Sequence, residues 1–137
     1  MSDFKKLFIW EKSFDFTIRI YSLTERFPDK EKFNLTNQLR RSAISIPSNI
    51  AEGYSRSSKK DFAHFLEIAL GSAYENETQL LISERLGYIN EEERKLAETE
   101  LNIIQSGIFR LRNRLKIKDR ALAITITVLL VIGFMTL

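Results

Sequence analysis

Apolar residues recur at helical spacing in four separate stretches of the chain, and no stretch shows strand-like alternation bounded by turn residues. The stretches cover residues 4–26, 34–52 and 58–86, and a fourth begins at Asn90. The connections between them are only a few residues long, so consecutive helices are expected to be antiparallel neighbours. The pattern therefore predicts an all-α fold, an antiparallel up-down-up-down four-helix bundle.

Residues with strong capping or helix-breaking preferences stand at the ends of these stretches. They are Pro28 after the first helix, Gly53 after the second, Ser58 with Asp61 at the start of the third, Gly87-Tyr88 at its end, and Asn90 with Glu93 at the start of the fourth. Pro47 lies inside the second helix and removes one backbone hydrogen bond, which predicts a kink there.

The first helix carries two apolar stripes side by side. One consists of Leu7, Trp10, Phe14, Ile18 and Tyr21, and the other of Phe16, Ile20, Leu23 and Phe27. An apolar face this wide is more than a single bundle needs. It predicts that the first helix is also buried against a second partner.

The second and fourth helices each carry one narrower apolar stripe. The inward positions of the second helix are Leu35, Leu39, Ala43, Ile46 and Ile50, and those of the fourth are Ala97, Leu101, Ile104, Ile108, Leu111 and Leu115. The fourth series steps by four and three in alternation, which is a heptad seam. Such a seam is typical of left-handed bundle packing.

A polar stripe follows one face of the second helix, and a matching stripe follows the third. The first consists of Gln38, Arg41, Ser45, Asn49 and Glu52, and the second of Glu67, Gly71, Glu75 and Gln79. Folding the two helices about the turn at 53–57 is expected to bring Ser45 near Glu67 and Arg41 near Glu75. The small residues at 71–73 would let the backbones approach, and Arg41 would form a charge-assisted pair with Glu75.

This polar network has two interpretations. It can fix the register of the helices while contributing little net stability, or it can form a recognition surface or a subunit contact. We favour the structural interpretation, because ionic networks in helical bundles commonly specify register.

The composition bounds the chemistry of the chain. Its 137 residues suit one domain, and the chain has no cysteine, which excludes disulfides, thiolate metal sites and thiol catalysis. Residues 1–109 carry 15 basic and 17 acidic side chains, whereas residues 110–120 carry six basic and one acidic. The excess positive charge therefore lies in one short stretch, and residues 121–137 carry no charge at all.

The inventory argues against an enzyme. His64 is the only histidine, and it precedes Glu67 in the reverse of the order that di-iron bundles use. No glycine-rich phosphate loop and no pair of nucleophile and base stands out. We therefore expect no catalytic residue, no metal site and no cofactor, and His64 is interpreted as an ordinary helix residue.

Basic side chains make nucleic acid a candidate partner. Arg40, Arg56, Lys59 and Lys60 are expected to cluster at the end that joins the second and third helices. A denser set follows in the fourth helix, with Arg110, Arg112, Arg114 and Lys116 as candidates. Such residues neutralise phosphates without sequence preference. The alternative is that they only solvate the surface, which Asp61 beside Lys60 favours.

The uncharged stretch at residues 121–137 is predicted to be a hydrophobic helical tail on a bundle that covers residues 1–120. It has three interpretations: a short membrane anchor preceded by basic residues on the cytoplasmic side, a helix buried inside an oligomer, or an extension by an altered reading frame. With an anchor, the basic run would meet anionic lipid headgroups and not RNA.

The segment at residues 37–80 resembles the bacterial four-helix bundle proteins named after the 23S rRNA intervening sequence. The resemblance rests on the runs Arg40-Arg41-Ser42-Ala43, Ser48-Asn49-Ile50-Ala51-Glu52-Gly53 and Gly71-Ser72, and it extends over most of residues 4–115. It implies a ring-like homopentamer and a loosely defined role with nucleic acid, and related bundles are accessory proteins of diversity-generating retroelements. It implies no catalytic residue, and the tail has no counterpart in the family.

Two functions follow from these observations. The first is a non-enzymatic oligomeric bundle that binds RNA or DNA through the basic surfaces. The second is a membrane-tethered scaffold that presents protein partners at the cytoplasmic face. No secretory signal opens the chain, so a cytoplasmic location is expected, with or without a tether.

Overall fold

The computed structural model describes residues 3–136 and is all-helical over that range. The four helices are α1 (Phe8–Thr24), α2 (Leu35–Tyr54), α3 (Lys59–Arg85) and α4 (Glu91–Met135), with short 3-10 turns at Phe4–Lys6 and Asp29–Glu31. Each helix packs on the next, and α4 returns to α1, where Arg19 lies 2.7 Å from Glu100. The predicted antiparallel four-helix bundle is confirmed.

The core contains most of the predicted inward positions of α2 and α4, together with Leu66, Leu70 and Leu80 of α3. Leu39, Ala43, Ile46 and Ile50 are fully buried, and so is the α4 seam from Ala97 to Ile108. The two apolar stripes of α1 differ in burial. Phe16 and Ile20 enter the core, whereas Phe14 and Ile18 remain 46% and 57% exposed.

Local capping signals placed most helix ends correctly. The Ser58 side chain accepts the Asp61 N–H at 3.0 Å, and Asn90 and Glu93 form a reciprocal capping box. Gly87 adopts a φ of 77° after α3, and the N–H of Tyr88 reaches back to the Ser83 carbonyl, as in a Schellman motif.

Gly53 does not end α2 as predicted. The helix continues to Tyr54, and Gly53 is buried within it. A Cβ at position 53 would lie 2.7 Å from Phe65 Cβ and 2.9 Å from Phe62 Cδ2. The glycine is therefore needed for the close approach of α3 and not for a left-handed cap.

Pro47 lies inside α2, and the helix continues on both sides of it. Proline has no N–H, so the Ala43 carbonyl four residues earlier loses its helical donor. The Thr17 hydroxyl of α1 lies 3.0 Å from this carbonyl oxygen and 2.8 Å from that of Ser13. A hydrogen bond between helices thus replaces one within α2, and the predicted kink stays a prediction.

α4 is 45 residues long and extends without a break into the tail. No helix among residues 3–136 is both long and apolar enough to cross a membrane, so the predicted anchor is not supported. The helical part of the uncharged stretch runs from Ala121 to Met135. At ~1.5 Å per residue it measures about 22 Å, which is shorter than a hydrocarbon layer of about 30 Å.

Candidate functional site

A buried polar network joins α2 and α3. The Ser42 hydroxyl donates to Gln79 Oε1 at 2.8 Å, and Asn76 Nδ2 donates to the Leu39 carbonyl and to Ser42 Oγ at 2.9 and 2.8 Å. Asn76 is fully buried, and its Oδ1 has no donor among the described residues. These bonds specify one register between the two helices, because a shift along either axis would leave buried polar groups unpaired.

A second polar layer lies above this network, nearer to solvent. The hydroxyls of Ser45 and Ser72 are 2.8 Å apart, and Asn49 Nδ2 donates to Ser45 Oγ at 2.9 Å. Gln79 Nε2 donates to Glu75 Oε1 at 3.2 Å and lies 3.5 Å from Gln38 Oε1. Part of the predicted polar stripe therefore forms two separate groups of hydrogen bonds, one around Ser45 and one around Gln79, and the partners differ from the predicted ones.

The predicted pair between Arg41 and Glu75 is wrong. Both side chains line a cleft of about 400 Å³, but no ion pair within 4.0 Å joins them, and Arg41 is exposed. Gly71 also faces open space, so the close contact comes from the buried Ser72 and Ala73. In both helices the residue one position later in the chain makes the contact. Ser42 does so in place of Arg41, and Ser72 and Asn76 do so in place of Gly71 and Glu75.

The predicted approach of Ser45 to Glu67 is also wrong, because Ser45 meets Ser72. Glu67 and Ser72 are five positions apart, so their side chains point about 140° apart around the helix axis. Glu67 consequently faces α4, where it pairs with Lys116 and lies 3.9 Å from Arg112. The hydrogen bond from Lys116 lowers the pKa of the Glu67 carboxyl below its ordinary value, against a smaller opposing effect of burial.

Three members of the polar network escaped sequence analysis: Ser42, Ser72 and Asn76. Ser72 and Asn76 are four residues apart and share the α3 face that meets α2. A polar pair at this spacing beside Ala69 and Ala73 was the available signal, because small apolar neighbours indicate a buried face.

Seven exposed basic side chains without an ion pair among the described residues lie at one end of the bundle, which we call the basic end. The up-down topology brings together the start of α1, the connection from α2 to α3, and the last turns of α4 before the tail. The exposed cations there without an ion pair among residues 3–136 are Lys5, Lys6, Lys59, Lys60, Arg114, Lys118 and Arg120. Asp61 and Asp119 stand among them. Lys5 and Lys6 were missed, because only the topology places them here.

Other predicted basic residues are already engaged. Arg56 pairs with Glu52 at 2.8 Å, and its guanidinium lies 4.7 Å from the Phe65 ring centroid. Arg112 stacks over Phe109. These contacts leave the cations less available to phosphate than their unpaired neighbours.

Two further candidates lie away from the basic end. The expected clustering of Arg40 with the α2–α3 connection is wrong, since Arg40 is six residues into α2, near the opposite end. Its Nε donates to Thr24 Oγ1 at 2.9 Å, and its guanidinium lies 4.6 Å from the Tyr21 ring centroid. Arg110 lies farther back along α4, where it lines a shallow hollow with Tyr74.

The outer face of α1 is an apolar strip, which we call the α1 strip: Trp10, Phe14, Ile18 and Tyr21. Trp10 and Phe14 stack with ring centroids 5.1 Å apart. Phe14, Ile18 and Tyr21 are 46%, 57% and 39% exposed, and Ile44 of α2 adds 41% beside them. Among residues 3–136, Phe4 contacts the Trp10 ring and Arg40 lies over Tyr21, whereas Phe14 and Ile18 stay about half exposed. Burial of α1 against a second partner stays a prediction.

The structure describes no site for a metal ion between residues 3 and 136, since no three histidine, aspartate or glutamate side chains there are grouped closely enough. His64 is exposed on α3 and contacts the edge of Phe65 at a centroid distance of 5.9 Å.

The chain is similar to a known protein family and to a solved structure. The model of the family described as 23S rRNA-intervening sequence protein matches residues 5–110. A 1.70 Å crystal structure of a protein of unknown function from the S23 ribosomal protein family of Bacteroides thetaiotaomicron is 30% identical, with a TM-score of 0.72 over 77% of this chain and 95% of that one. No curated protein matches significantly.

Proposed function

Since the chain belongs to the 23S rRNA-intervening sequence protein family, we propose that it is a non-enzymatic, self-associating bundle that binds the phosphate backbone of nucleic acid. The observation that carries the proposal is the set of unpaired cations at the basic end. Nucleic acid is a polyanion, and it is held by exposed lysine and arginine side chains that have no competing carboxylate.

The arrangement of charge supports a surface without sequence preference. Lys59 and Lys60 begin α3, and Lys5 and Lys6 precede α1 at the same end of the bundle. All four are exposed, and their flexible side chains suit contacts with phosphate oxygens more than the fixed geometry of base recognition. Binding is therefore expected to depend on salt and little on sequence.

Self-association is supported by the α1 strip. Monomeric proteins seldom expose a contiguous patch of aromatic and aliphatic side chains unless the patch has a partner. The homopentamer stays a prediction from the resemblance, as does a role beside retroelements. Any symmetric assembly would repeat the basic end in each copy and raise its avidity for a long polyanion.

The test is fluorescence anisotropy of a structured ribosomal RNA fragment and of a DNA duplex, titrated with the full chain at two salt concentrations. The variant is Lys59→Ala with Lys60→Ala, and the matched control is Lys30→Ala with Lys32→Ala at the opposite end, which removes the same charge. We expect affinity to fall steeply between about 50 and 200 mM salt.

The first double variant should bind more weakly and with a shallower salt dependence than the control. Each lost phosphate contact makes the negative slope of log affinity against log salt shallower by about 0.9 for duplex DNA. Equal losses in both variants would reject the basic end as the site. No binding at low salt by a folded, oligomeric protein would reject the nucleic-acid function.

A further inference from the structure

The uncharged end of α4 extends beyond the bundle, and its large apolar side chains are not covered by residues 3–120. The last α4 residue packed against the core is Leu115, and the last ion pair joins Lys116 to Glu67. Beyond Arg120, the exposure of the large apolar side chains ranges from 49% for Val128 to 85% for Phe134. A helix this apolar is stable in water only when another surface covers it.

The tail cannot cover the α1 strip of its own chain. α1 and α4 are antiparallel neighbours, as the contacts of Arg19 with Glu100 and Arg26 with Glu93 show. α4 therefore leaves the bundle at the end where α1 begins, and it continues away from the bundle as a straight extension. One molecule thus has two apolar helical surfaces that cannot meet within it.

We propose that the tail of one copy, Ala121–Met135, docks along the α1 strip of a second copy. The inference rests on the self-association proposed above and names the segments that meet. The dimensions agree: the tail measures about 22 Å and the strip, from Trp10 to Tyr21, about 17 Å at ~1.5 Å per residue. One helix laid along another over this length forms a helix–helix contact of ordinary size.

Glu25 and Asp29 give the contact a direction. Lys118 and Arg120 precede the tail, whereas Glu25 and Asp29 follow the Tyr21 end of α1 and are exposed. Lys30 is exposed at the same end, and Arg40 lies over the Tyr21 ring. A tail that runs along the strip from Tyr21 towards Trp10 brings these opposite charges together. Two tails packed in parallel would instead bring two sets of Lys118 and Arg120 together, and the like charges would repel.

The contact is heterologous, because two different surfaces meet. After one contact forms, one copy retains a free strip and the other a free tail, so further copies add until a ring closes. Assembly of this kind depends on protein concentration. It is distinct from any symmetric contact that the bundles make without the tail.

The absence of cysteine from the sequence makes the test direct. One full-length chain carries Ile18→Cys on the strip, and a second, of different tag size, carries Leu129→Cys on the tail. The two are mixed under mild oxidation, and mixed disulfides are resolved by mass on a non-reducing gel. The matched control replaces Ile18→Cys by Thr78→Cys, at an exposed position on α3.

The proposal expects at least a tenfold excess of the mixed disulfide with Ile18→Cys over the control. Leu129→Cys chains that crosslink mainly with each other would overturn it in favour of tail–tail packing. Full-length protein that floats with phosphatidylcholine–phosphatidylglycerol vesicles and loses the crosslink would overturn it in favour of lipid. Equal crosslinking in an oligomer seen by sedimentation rejects the tail contact alone, whereas a monomer at all concentrations also rejects the self-association.

Discussion

The Thr17 hydroxyl lies 3.0 Å from the Ala43 carbonyl oxygen, which is the one acceptor in α2 that Pro47 leaves without a helical donor. All three residues are buried. An unpaired buried carbonyl is costly, so Thr17 compensates on α1 for a proline on α2. The same hydrogen bond fixes the two helices relative to each other along their axes.

This relationship predicts a coupling between two positions. Thr17→Val removes the donor and should lower the free energy of unfolding by about 1–3 kcal/mol, because the Ala43 carbonyl becomes unpaired. In a Pro47→Ala background, the restored N–H serves that carbonyl, so the same change should cost about 1 kcal/mol less. Urea unfolding of the four variants measures the cycle. Additive effects would show that the hydroxyl does not replace the missing N–H.

Two glycines in helices should respond oppositely to alanine. At Gly53 the new Cβ would meet Phe65 and Phe62 at under 3.0 Å, so Gly53→Ala should destabilise the fold by about 1–3 kcal/mol. At Gly71 no atom lies within 4 Å, so Gly71→Ala should stabilise it by about 0.5–1 kcal/mol through helix propensity. Thermal unfolding of both variants decides. A stable Gly53→Ala protein would contradict the close approach of α3.

The buried and exposed parts of the polar face should differ in importance. Asn76→Ala removes the donor to Leu39 O and Ser42 Oγ and should cost about 1–3 kcal/mol. Arg41→Ala removes an exposed side chain without an ion pair among the described residues, and it should change stability by less than about 0.5 kcal/mol. Chemical denaturation compares them. A large loss with Arg41→Ala would restore the pairing with Glu75.

Acid should weaken the start of α4. Hydrogen bonds from the Arg26 side chain and the Asn90 backbone hold the pKa of the Glu93 carboxyl below its ordinary value of 4.5. A depressed pKa in the folded state stabilises the protein above pH 4.5, and this stabilisation is lost as the pH falls through the folded pKa. The melting temperature should therefore decline below pH 4.5, and the melting temperature of the Glu93→Gln variant should decline less steeply. Glu92→Gln provides the control and should follow the native curve.

The sequence predicted features that depend on neighbours along the chain. Asn90 and Glu93 are three residues apart, so their capping box could be recognised without any knowledge of tertiary structure. The α4 seam from Ala97 to Leu115 was visible for the same reason, because its spacing alone defines a face. Such signals established the fold class and most helix ends.

Contacts between helices were harder to predict because each depends on the rotation and the shift of two helices. Ser45 meets Ser72, which is five positions after the predicted Glu67, whereas the contact predicted for Arg41 is made by its neighbour Ser42. The basic end was seen only in part, since Lys5 is far from Lys118 in sequence. Arg40 was misplaced because α2 is long enough to carry its first turns to the opposite end.

The bundle part and the tail of α4 are one continuous helix. A helix of 45 residues is about 67 Å long, so a rotation or shift of one end moves the other end as well. Inserting one residue between Lys116 and Ala121 would turn the tail by about 100° and advance it by about 1.5 Å without altering the bundle. The number of residues in that short segment therefore sets the direction in which the bundle faces whatever the tail holds.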